Sequence, residues 1–263
     1  MSGHSKRALS LIIQSRMPNL NFELAAYEDI LKTALSSSYR FLPYDRIQSE
    51  GCELSCLLRH DLDSELLGCG PMLDIERRLG VQATYFVMTR STAYNPFSVE
   101  GRSMVRRILD EGHALGLHFM GELCEGEEPS VIAAKVRREV NWLEDEFSTG
   151  IRAVSFHQPS RAVLDGQLRI PNLVNTYNRS QMGAYFYVSD TNMQWRHEHP
   201  LEIFERRLYP RLQLLIHPIW WTSSSRASRD KWLDILRTNN RAVTNHWEQR
   251  ERTLAGVRLG DII

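Results

Sequence analysis

Short apolar runs with strand character alternate along this chain with longer segments in which apolar residues recur at helical spacing. The short runs are Leu54–Leu58, Ala83–Met88, His113–Leu117, Ala153–Phe156, Ala184–Val188 and Leu212–Ile216. The helical segments are residues 71–79, 99–111 and 129–147, and the last carries an apolar stripe at three- and four-residue intervals. This alternation predicts an α/β fold of strand–helix units around a mostly parallel sheet.

Further helices are predicted at both ends of this alternating region. Residues 21–35 repeat apolar side chains at helical spacing after Asn21, a residue type that often caps helices, and a final helix is predicted from Asp230 to about Glu251. No change in composition marks a domain boundary. We therefore expect a single domain, with a helical N-terminal extension at 1–50, a core of strand–helix units at 51–222 and a C-terminal helix at 223–263.

Histidine or aspartate side chains directly follow five of the six predicted strands. In parallel barrels and doubly wound sheets the carboxyl ends of the strands open on one face, where active sites are built. The spacing therefore predicts that six side chains converge in one cleft. They are Asp61, Asp63, His118, His157, Asp190 and His217.

Carboxylate and imidazole groups gathered in this way are typical of a divalent metal site with acid and base groups beside it. Such ligands suit zinc, cobalt, nickel, iron or manganese, and zinc is the metal we expect. The corresponding reaction class is metal-assisted hydrolysis. Two further histidines are expected to be structural, because strand alternation turns His60 away from Asp61 and because His113 begins a strand rather than ending it.

The composition narrows the classes of partner. The 263 residues include 32 basic and 32 acidic side chains, so the chain lacks the basic excess that nucleic-acid-binding domains usually carry. No apolar run approaches the roughly 20 residues of a membrane-spanning helix, and the apolar stretch at residues 8–13 is too short for a signal sequence. Four cysteines are few for this length and fit a reducing compartment. We therefore expect a cytoplasmic protein that neither binds nucleic acid nor inserts into a membrane.

Four segments carry five of the six side chains predicted to converge, all except His157, in a fixed order along the chain. They are RHDLD (59–63), EGHALGLHF (111–119), YVSDTNMQW (187–195) and LLIHP (214–218). In order and spacing they resemble the motifs of the polysaccharide deacetylases of the NodB-homology type, a carbohydrate esterase family. The resemblance covers roughly residues 54–221 and implies a distorted (β/α) barrel with helical extensions at both ends.

The resemblance also implies a role for five of the six residues of the cleft. Asp61 would be the catalytic base, Asp63 a metal ligand and His118 the first metal histidine. His217 would be the general acid, oriented by Asp190.

Two positions depart from the family pattern. Glu122 stands where a second metal histidine is normal, four residues after His118, and SFHQPS (155–160) replaces the arginine–proline motif. We expect His157 to be the third metal ligand, with Glu122 as the alternative, because Glu122 lies in an acidic stretch typical of a solvated loop. SFHQPS, NTYN (175–178) and IHPIWW (216–221) resemble a divergent intracellular branch associated with bacterial surface-polysaccharide and O-antigen biosynthesis.

The implied function is removal of an N-acetyl or similar acyl group from a nucleotide-linked or lipid-linked sugar. Trp195, Trp220 and Trp221 are candidates for an apolar wall on which the sugar stacks, with ordinary packing as the alternative, and Glu122 is assigned to substrate binding if it is not a ligand. Two other functions stay open. One is a catalytically inactive, deacetylase-like sugar-binding protein, which the two departures favour, and the other is a metal-dependent amidohydrolase acting on a non-sugar amide.

Overall fold

The computed structural model describes residues 22–47 and 53–251, in which strands and helices alternate as predicted. The strands are β1 (Arg40–Phe41), β2 (Ser55–Leu62), β3 (Thr84–Val87), β4 (Ala114–Met120), β5 (Ala153–His157), β6 (Val174–Asn175), β7 (Phe186–Ser189) and β8 (Arg211–Ile216). The helices are α1 (Leu24–Ser36), α2 (Gly70–Leu79), α3 (Val99–Asp110), α4 (Pro129–Phe147), α5 (Arg161–Leu164), α6 (Arg179–Met182), α7 (Pro200–Arg206) and α8 (Ser228–Arg250). Short 3₁₀ turns cover Tyr44–Arg46, Leu67–Cys69, Gly121–Cys124, Thr191–Met193 and Pro218–Trp220.

These strands all pair in parallel in one sheet. Its order is β6-β5-β4-β3-β2-β8-β7, and β1 pairs with the first residues of β2 on the edge that β3 occupies further along. Parallel strands need crossover connections, and α2, α3 and α4 supply them from β2 to β5. The carboxyl ends of the strands therefore lie at one edge of the sheet.

Four strands, β2, β4, β5 and β7, extend beyond the apolar runs that predicted them, β2 and β4 by the most. β2 continues through Asp61 and β4 through His118, so both side chains lie inside strands rather than after them. Every residue of β2 is buried, including the charged Arg59. The apolar runs end too early because polar side chains that find buried partners continue the same period-two alternation.

The sheet is curled into a distorted (β/α) barrel, as a contact across its interior shows. Arg59 on β2 donates from Nη1 to Oγ1 of Thr176, directly after β6, at 3.0 Å. In a flat sheet β6 would lie four strands from β2, about 19 Å away at the usual spacing, so a direct bond requires strong curvature. Within the described residues β6 and β7 do not pair, and the barrel is open between them. The predicted fold class is confirmed.

The two faces of the curled sheet bury separate apolar clusters. The outer face packs against the helices in the larger cluster, to which α1 contributes Tyr27 and Ile30. The inner cluster is small and fills the barrel interior. Its members are Leu42, Tyr44, Leu57, Phe86, Ala153 and Met182. Because Leu57 precedes Arg59 by two residues on β2, this inner cluster forms the floor beneath the polar groups of the interior.

A buried carboxylate links the outer face of β2 to the helices. Glu76 on α2 accepts hydrogen bonds from the hydroxyl groups of Tyr27 and Tyr85, the latter at 2.7 Å, and Nε2 of His60 lies 2.7 Å from it. Although burial opposes ionisation, the contact with His60 keeps the pKa of Glu76 below its usual range. His60 thus points away from Asp61, as strand alternation predicts.

The helices predicted at the two ends are present. α1 begins at Leu24, and its predicted cap Asn21 lies outside the described residues. Lys231, in the first turn of α8, donates from Nζ to the backbone carbonyls of Phe22 and Trp220, which ties both end helices to the loop after β8. In the described part of the chain, no helix is both long and apolar enough to cross a membrane. The division at 50 and 222 stays a prediction.

Replacing Glu76 by Gln should destabilise the protein by about 3 kcal/mol, because an amide cannot accept at both ends from Tyr27, His60 and Tyr85, and a buried donor is left unpaired. Urea unfolding measures the loss. The control Glu28→Gln removes surface ion pairs of α1 and should cost less than about 1 kcal/mol. Equal losses of stability in the two variants would show that the buried network around Glu76 contributes no more than a surface ion pair.

His199 makes stability depend on pH at the start of α7. Its Nδ1 accepts a hydrogen bond from the backbone N–H of Leu201 at 3.2 Å, and burial lowers its pKa to about 4. An unfolded histidine titrates near a pKa of about 6.5, so the unfolded state binds more protons between about pH 6.5 and 4. Stability should therefore fall as the pH drops through this window.

The variant His199→Asn keeps an acceptor at the helix start but removes the titration. Between about pH 7 and about pH 4.5, the wild-type protein should lose roughly 1 to 2 kcal/mol more stability than this variant, as urea unfolding at both pH values would measure. His246→Asn, on α8, controls for the loss of a histidine elsewhere. The assignment would be wrong if wild type and His199→Asn lost the same stability.

Candidate metal centre and active site

Asp63, His118 and His157 form a compact cluster at the carboxyl-terminal edge of the sheet. Nε2 of His118 lies 2.8 Å from Oδ1 of Asp63, and Nδ1 of His157 lies 3.3 Å from the same oxygen. One ligand atom of each residue lies within 4.8 Å of the other two. Asp63 directly follows β2, His118 lies in β4 and His157 ends β5, so the parallel strands present all three at one edge.

This set of donor atoms fits a divalent metal ion. Three protein ligands drawn from imidazoles and carboxylates are typical of catalytic zinc sites, which keep a further position open. Although burial opposes ionisation, hydrogen bonds from His118 and His157 hold the pKa of Asp63 below its usual range, and ligation requires an ionised carboxylate. The other ring nitrogen of His118 lies 2.6 Å from Oγ of Ser155, the kind of support that metal-binding histidines commonly have.

Asp61, two residues before Asp63, is bound by a buried arginine. Arg59 donates from Nε to Oδ1 of Asp61 at 2.7 Å and from Nη2 to Oδ2 at 2.6 Å. Burial opposes ionisation of Asp61, but the charge of Arg59 lowers the pKa of this carboxyl group. Asp61, Asp63 and His217 also have ligand atoms within 4.8 Å of one another. This second group suits a metal less well, because the charge of Asp61 is already neutralised by Arg59.

Arg59 also contacts two aromatic rings and a hydroxyl group besides Asp61. Its guanidinium group lies over the rings of Phe86 and Tyr177, 5.3 and 5.4 Å from their centroids, in addition to its contact across the barrel. Gly116 on β4 leaves the space for the ring of Phe86, because a Cβ there would lie 2.5 Å from it. A planar, fully buried guanidinium with two parallel bonds to a carboxylate holds Asp61 in one orientation.

Asp190, directly after β7, holds His217, directly after β8. Nδ1 of His217 lies 2.6 Å from Oδ1 of Asp190, and the backbone N–H of His217 donates to Oδ2 at 3.0 Å. The indole N–H of Trp221 donates to the same carboxylate at 2.8 Å. Burial alone would lower the pKa of His217, but the charge of Asp190 raises it to about 9. His217 is therefore protonated at neutral pH, with Nε2 3.8 Å from Oδ2 of Asp63.

The loop after β4 fixes the end of β5, which carries His157. A Cβ at Gly121 would lie 2.2 Å from the carbonyl oxygen of Gln158 and 2.5 Å from that of His157, so glycine is required there. Gln158 itself has a φ of +46°, which is uncommon for a residue other than glycine. The close approach and the turn together set the direction in which the chain leaves β5 beside the candidate metal ligands.

The remaining predicted site residues lie unevenly around this centre. Glu122 is exposed in the 3₁₀ turn after β4 and belongs to neither ligand group. Trp220 and Trp221 are only 8% and 5% exposed and pack in the larger cluster. Trp195 is partly exposed and stacks on Phe22, with 5.8 Å between ring centroids. Roles for these side chains in substrate binding stay predictions.

The six side chains predicted to converge lie together, and among them lie three that the sequence reasoning missed. These three are Arg59, Ser155 and Thr176. Two of these residues could have been found from the sequence. Arg59 precedes Asp61 by two residues and Ser155 precedes His157 by two, and strand alternation places each pair on one face of its strand. Thr176 could not have been found in this way, because it follows a strand of only two residues.

No family model matches this chain, and no curated protein sequence does. It is similar in structure to the chitin deacetylase of the fungal pathogen Colletotrichum lindemuthianum, at 14% identity, with 70% of this chain and 81% of that chain covered and a TM-score of 0.46. The peptidoglycan deacetylase PdaC of Bacillus subtilis is 16% identical, with 76% and 98% covered and a TM-score of 0.43. A carbohydrate esterase family 4 pseudoenzyme of Bacillus anthracis is 15% identical, with 72% and 61% covered and a TM-score of 0.41. At these low values we infer nothing from these proteins about the chemistry of this chain.

Removing Arg59 should leave a lone carboxylate in the barrel interior. Arg59→Met should lower the free energy of unfolding by about 3 kcal/mol or more in urea titrations, since Asp61 stays buried but loses its counter-charge. Adding Asp61→Asn to that variant should recover part of the loss, because neither charge then remains. A loss below about 1 kcal/mol in Arg59→Met, the size expected for a surface pair, would contradict this reading of the ion pair.

Proposed function

We propose that this protein is a metal-dependent hydrolase that removes an N-acetyl or similar acyl group from a sugar. The proposal is carried by one observation: the cluster of Asp63, His118 and His157 lies beside an ionised carboxylate, Asp61, and a protonated imidazole, His217. Three metal ligands, a proton acceptor and a proton donor in contact with one another are the groups that hydrolysis of an amide requires.

Asp63, His118 and His157 would hold the metal ion through the atoms that face one another. These are a carboxylate oxygen of Asp63, Nε2 of His118 and Nδ1 of His157. A bound divalent ion supplies Lewis acidity, which polarises the amide carbonyl and makes a water molecule more acidic. We propose zinc, with cobalt, nickel, iron and manganese as other ions that these ligands suit.

Asp61 is the proposed proton acceptor. Arg59 keeps its carboxylate ionised, so Asp61 is ready to take a proton from the water that attacks the carbonyl carbon. The two parallel bonds from Arg59 also prevent rotation of the carboxylate. Both the ionisation and the orientation of the acceptor are therefore set by a residue on the same strand.

His217 is the proposed proton donor. Its Nδ1 is engaged with Asp190, so the proton on Nε2 is the one that moves to the leaving nitrogen as the C–N bond breaks. A pKa of about 9 keeps this proton in place at neutral pH. The products are a carboxylate, which is acetate for an acetyl group, and an amino sugar. Release of the proton on Asp61 to solvent and reprotonation of His217 restore the site.

The sugar in this proposal comes from the resemblance of the motifs, since the site geometry suits any small amide. The proposed substrates are nucleotide-linked or lipid-linked N-acylated sugars used in the cytoplasm for bacterial surface polysaccharide, O-antigen or capsule. Of the three candidate tryptophans, Trp195 is the partly exposed one, so it is the proposed contact for a sugar ring. Trp221 is instead buried against Asp190, and Trp220 is buried beside it.

Metal analysis and acetate release test the proposal together. The purified protein should bind about one equivalent of zinc and should release acetate from at least one sugar in a panel of free, nucleotide-linked and lipid-linked N-acetylated sugars. Asp63→Asn should lose the metal and reduce activity by about 100-fold or more, because a ligand and its charge are removed. His157→Ala should weaken zinc binding by at least about tenfold, whereas Glu122→Ala should not.

Each other outcome has a distinct meaning. Stoichiometric metal in Asp63→Asn would contradict the proposed ligand set. Loss of metal in Glu122→Ala but not in His157→Ala would identify Glu122, not His157, as the third ligand. Sugar binding without metal or acetate release would favour the inactive sugar-binding protein. Metal with hydrolysis of non-sugar amides only would favour the amidohydrolase.

A further inference from the structure

Ser155 is a buried hydroxyl for which the proposed mechanism has no role. It lies on β5 directly opposite His118 on β4, and its side chain is fully buried. Its Oγ lies 2.6 Å from Nδ1 of His118 and 3.4 Å from Oδ1 of Asp61. Nδ1 of His118 has only a longer direct contact with Asp61, at 3.7 Å. The hydroxyl therefore bridges the imidazole and the carboxylate.

The hydrogen atoms along this bridge follow from the chemistry of each group. Both oxygens of Asp61 accept hydrogen bonds from the guanidinium group of Arg59, and a carboxylate paired in this way has no proton to donate. The single hydroxyl hydrogen of Ser155 is donated to Oδ1 of Asp61, so Oγ accepts the hydrogen bond from His118. Nδ1 of His118 consequently carries a proton.

A proton on Nδ1 makes Nε2 the nitrogen of His118 that binds a metal. Nε2 is also the nitrogen that faces Asp63, at 2.8 Å. His157 differs, because its Nδ1 faces the same oxygen of Asp63. The two histidines present different ring nitrogens to one carboxylate, so each needs its own partner to select its tautomer.

We propose that Ser155 is a positioning residue that holds His118 in the metal-binding tautomer and thereby connects the Arg59–Asp61 pair to the metal ligands. The inference rests on the metal site of the proposed function but not on the sugar substrate or on turnover. A serine that only filled space would leave the tautomer of His118 unchanged when its hydroxyl was removed.

The zinc-loaded wild-type protein tests the tautomer without any variant. In NMR spectra of isotope-labelled histidine, His118 should show a slowly exchanging proton on Nδ1 and none on Nε2, whereas His157 should show none on Nδ1. A proton on Nε2 of His118, with zinc on Nδ1, would overturn this inference alone. Failure of the wild type to bind zinc would overturn the proposed function together with it.

A matched pair of variants isolates the hydroxyl. Ser155→Val and Ser155→Thr add side chains of nearly the same shape, of which only threonine keeps the hydroxyl. Competition with a chromophoric chelator should give a zinc dissociation constant roughly 10- to 100-fold weaker for Ser155→Val than for Ser155→Thr. In Ser155→Val the Nδ1 proton of His118 should also exchange faster.

Thr84→Val, on β3, is the control for loss of a buried hydroxyl. Among the described residues Oγ1 of Thr84 has no hydrogen-bond partner, so this variant should bind zinc as the wild type does. Equal affinities for the two Ser155 variants, or an equal loss in Thr84→Val, would overturn the role of Ser155. If Ser155→Val does not fold, the spectra of the wild type decide the question.

Discussion

A buried ion pair between Arg59 and Asp61 is the interaction on which the interior of this barrel depends. Charges placed in a dry interior cost several kcal/mol each unless they are paired and their remaining hydrogen-bonding capacity is filled. Thr176 accepts a hydrogen bond from a further guanidinium N–H, the rings of Phe86 and Tyr177 lie against the guanidinium, and Ser155 donates a hydrogen bond to the carboxylate. The interior is therefore layered from the amino to the carboxyl ends of the strands: an apolar floor, the ion pair, and the proposed metal ligands.

The fold was predictable where the chain is apolar. Six runs located six strands, and their alternation with helical segments indicated a parallel sheet. The strands β1 and β6 are too short to leave a pattern, and the full lengths of β2 and β4 were hidden because their polar residues find buried partners on other strands. Which partner a buried polar group finds is tertiary information, and so is the curl of the sheet, which appears only in contacts such as that between Arg59 and Thr176.

The candidate site was predictable as a set, but only one of its side-chain pairs was. Parallel strands end at one edge, so the histidines and aspartates that follow them had to lie close together. The pairing of Asp190 with His217 was expected from the resemblance of the motifs alone, and nothing in the sequence says that His118 and His157 face Asp63 through different ring nitrogens. The tryptophans show the same limit: Trp195 is partly exposed and Trp221 is buried, and both rings pack on the chain that leads into α1.

The location of both charges on one strand has a consequence for how this site can vary. Arg59 and Asp61 lie within a five-residue segment, so the cation that neutralises the acceptor is encoded beside it and no other strand has to supply one. The inward positions of β5 therefore do not have to supply a positive charge to Asp61, and they carry Ser155 and His157. Substitutions on β5 can alter the proposed ligand His157 without leaving an uncompensated charge in the interior. If the proposed site holds a metal, its metal preference and the charge balance of the interior are thus separately adjustable, and the proposed ligands can change while the buried charges stay paired.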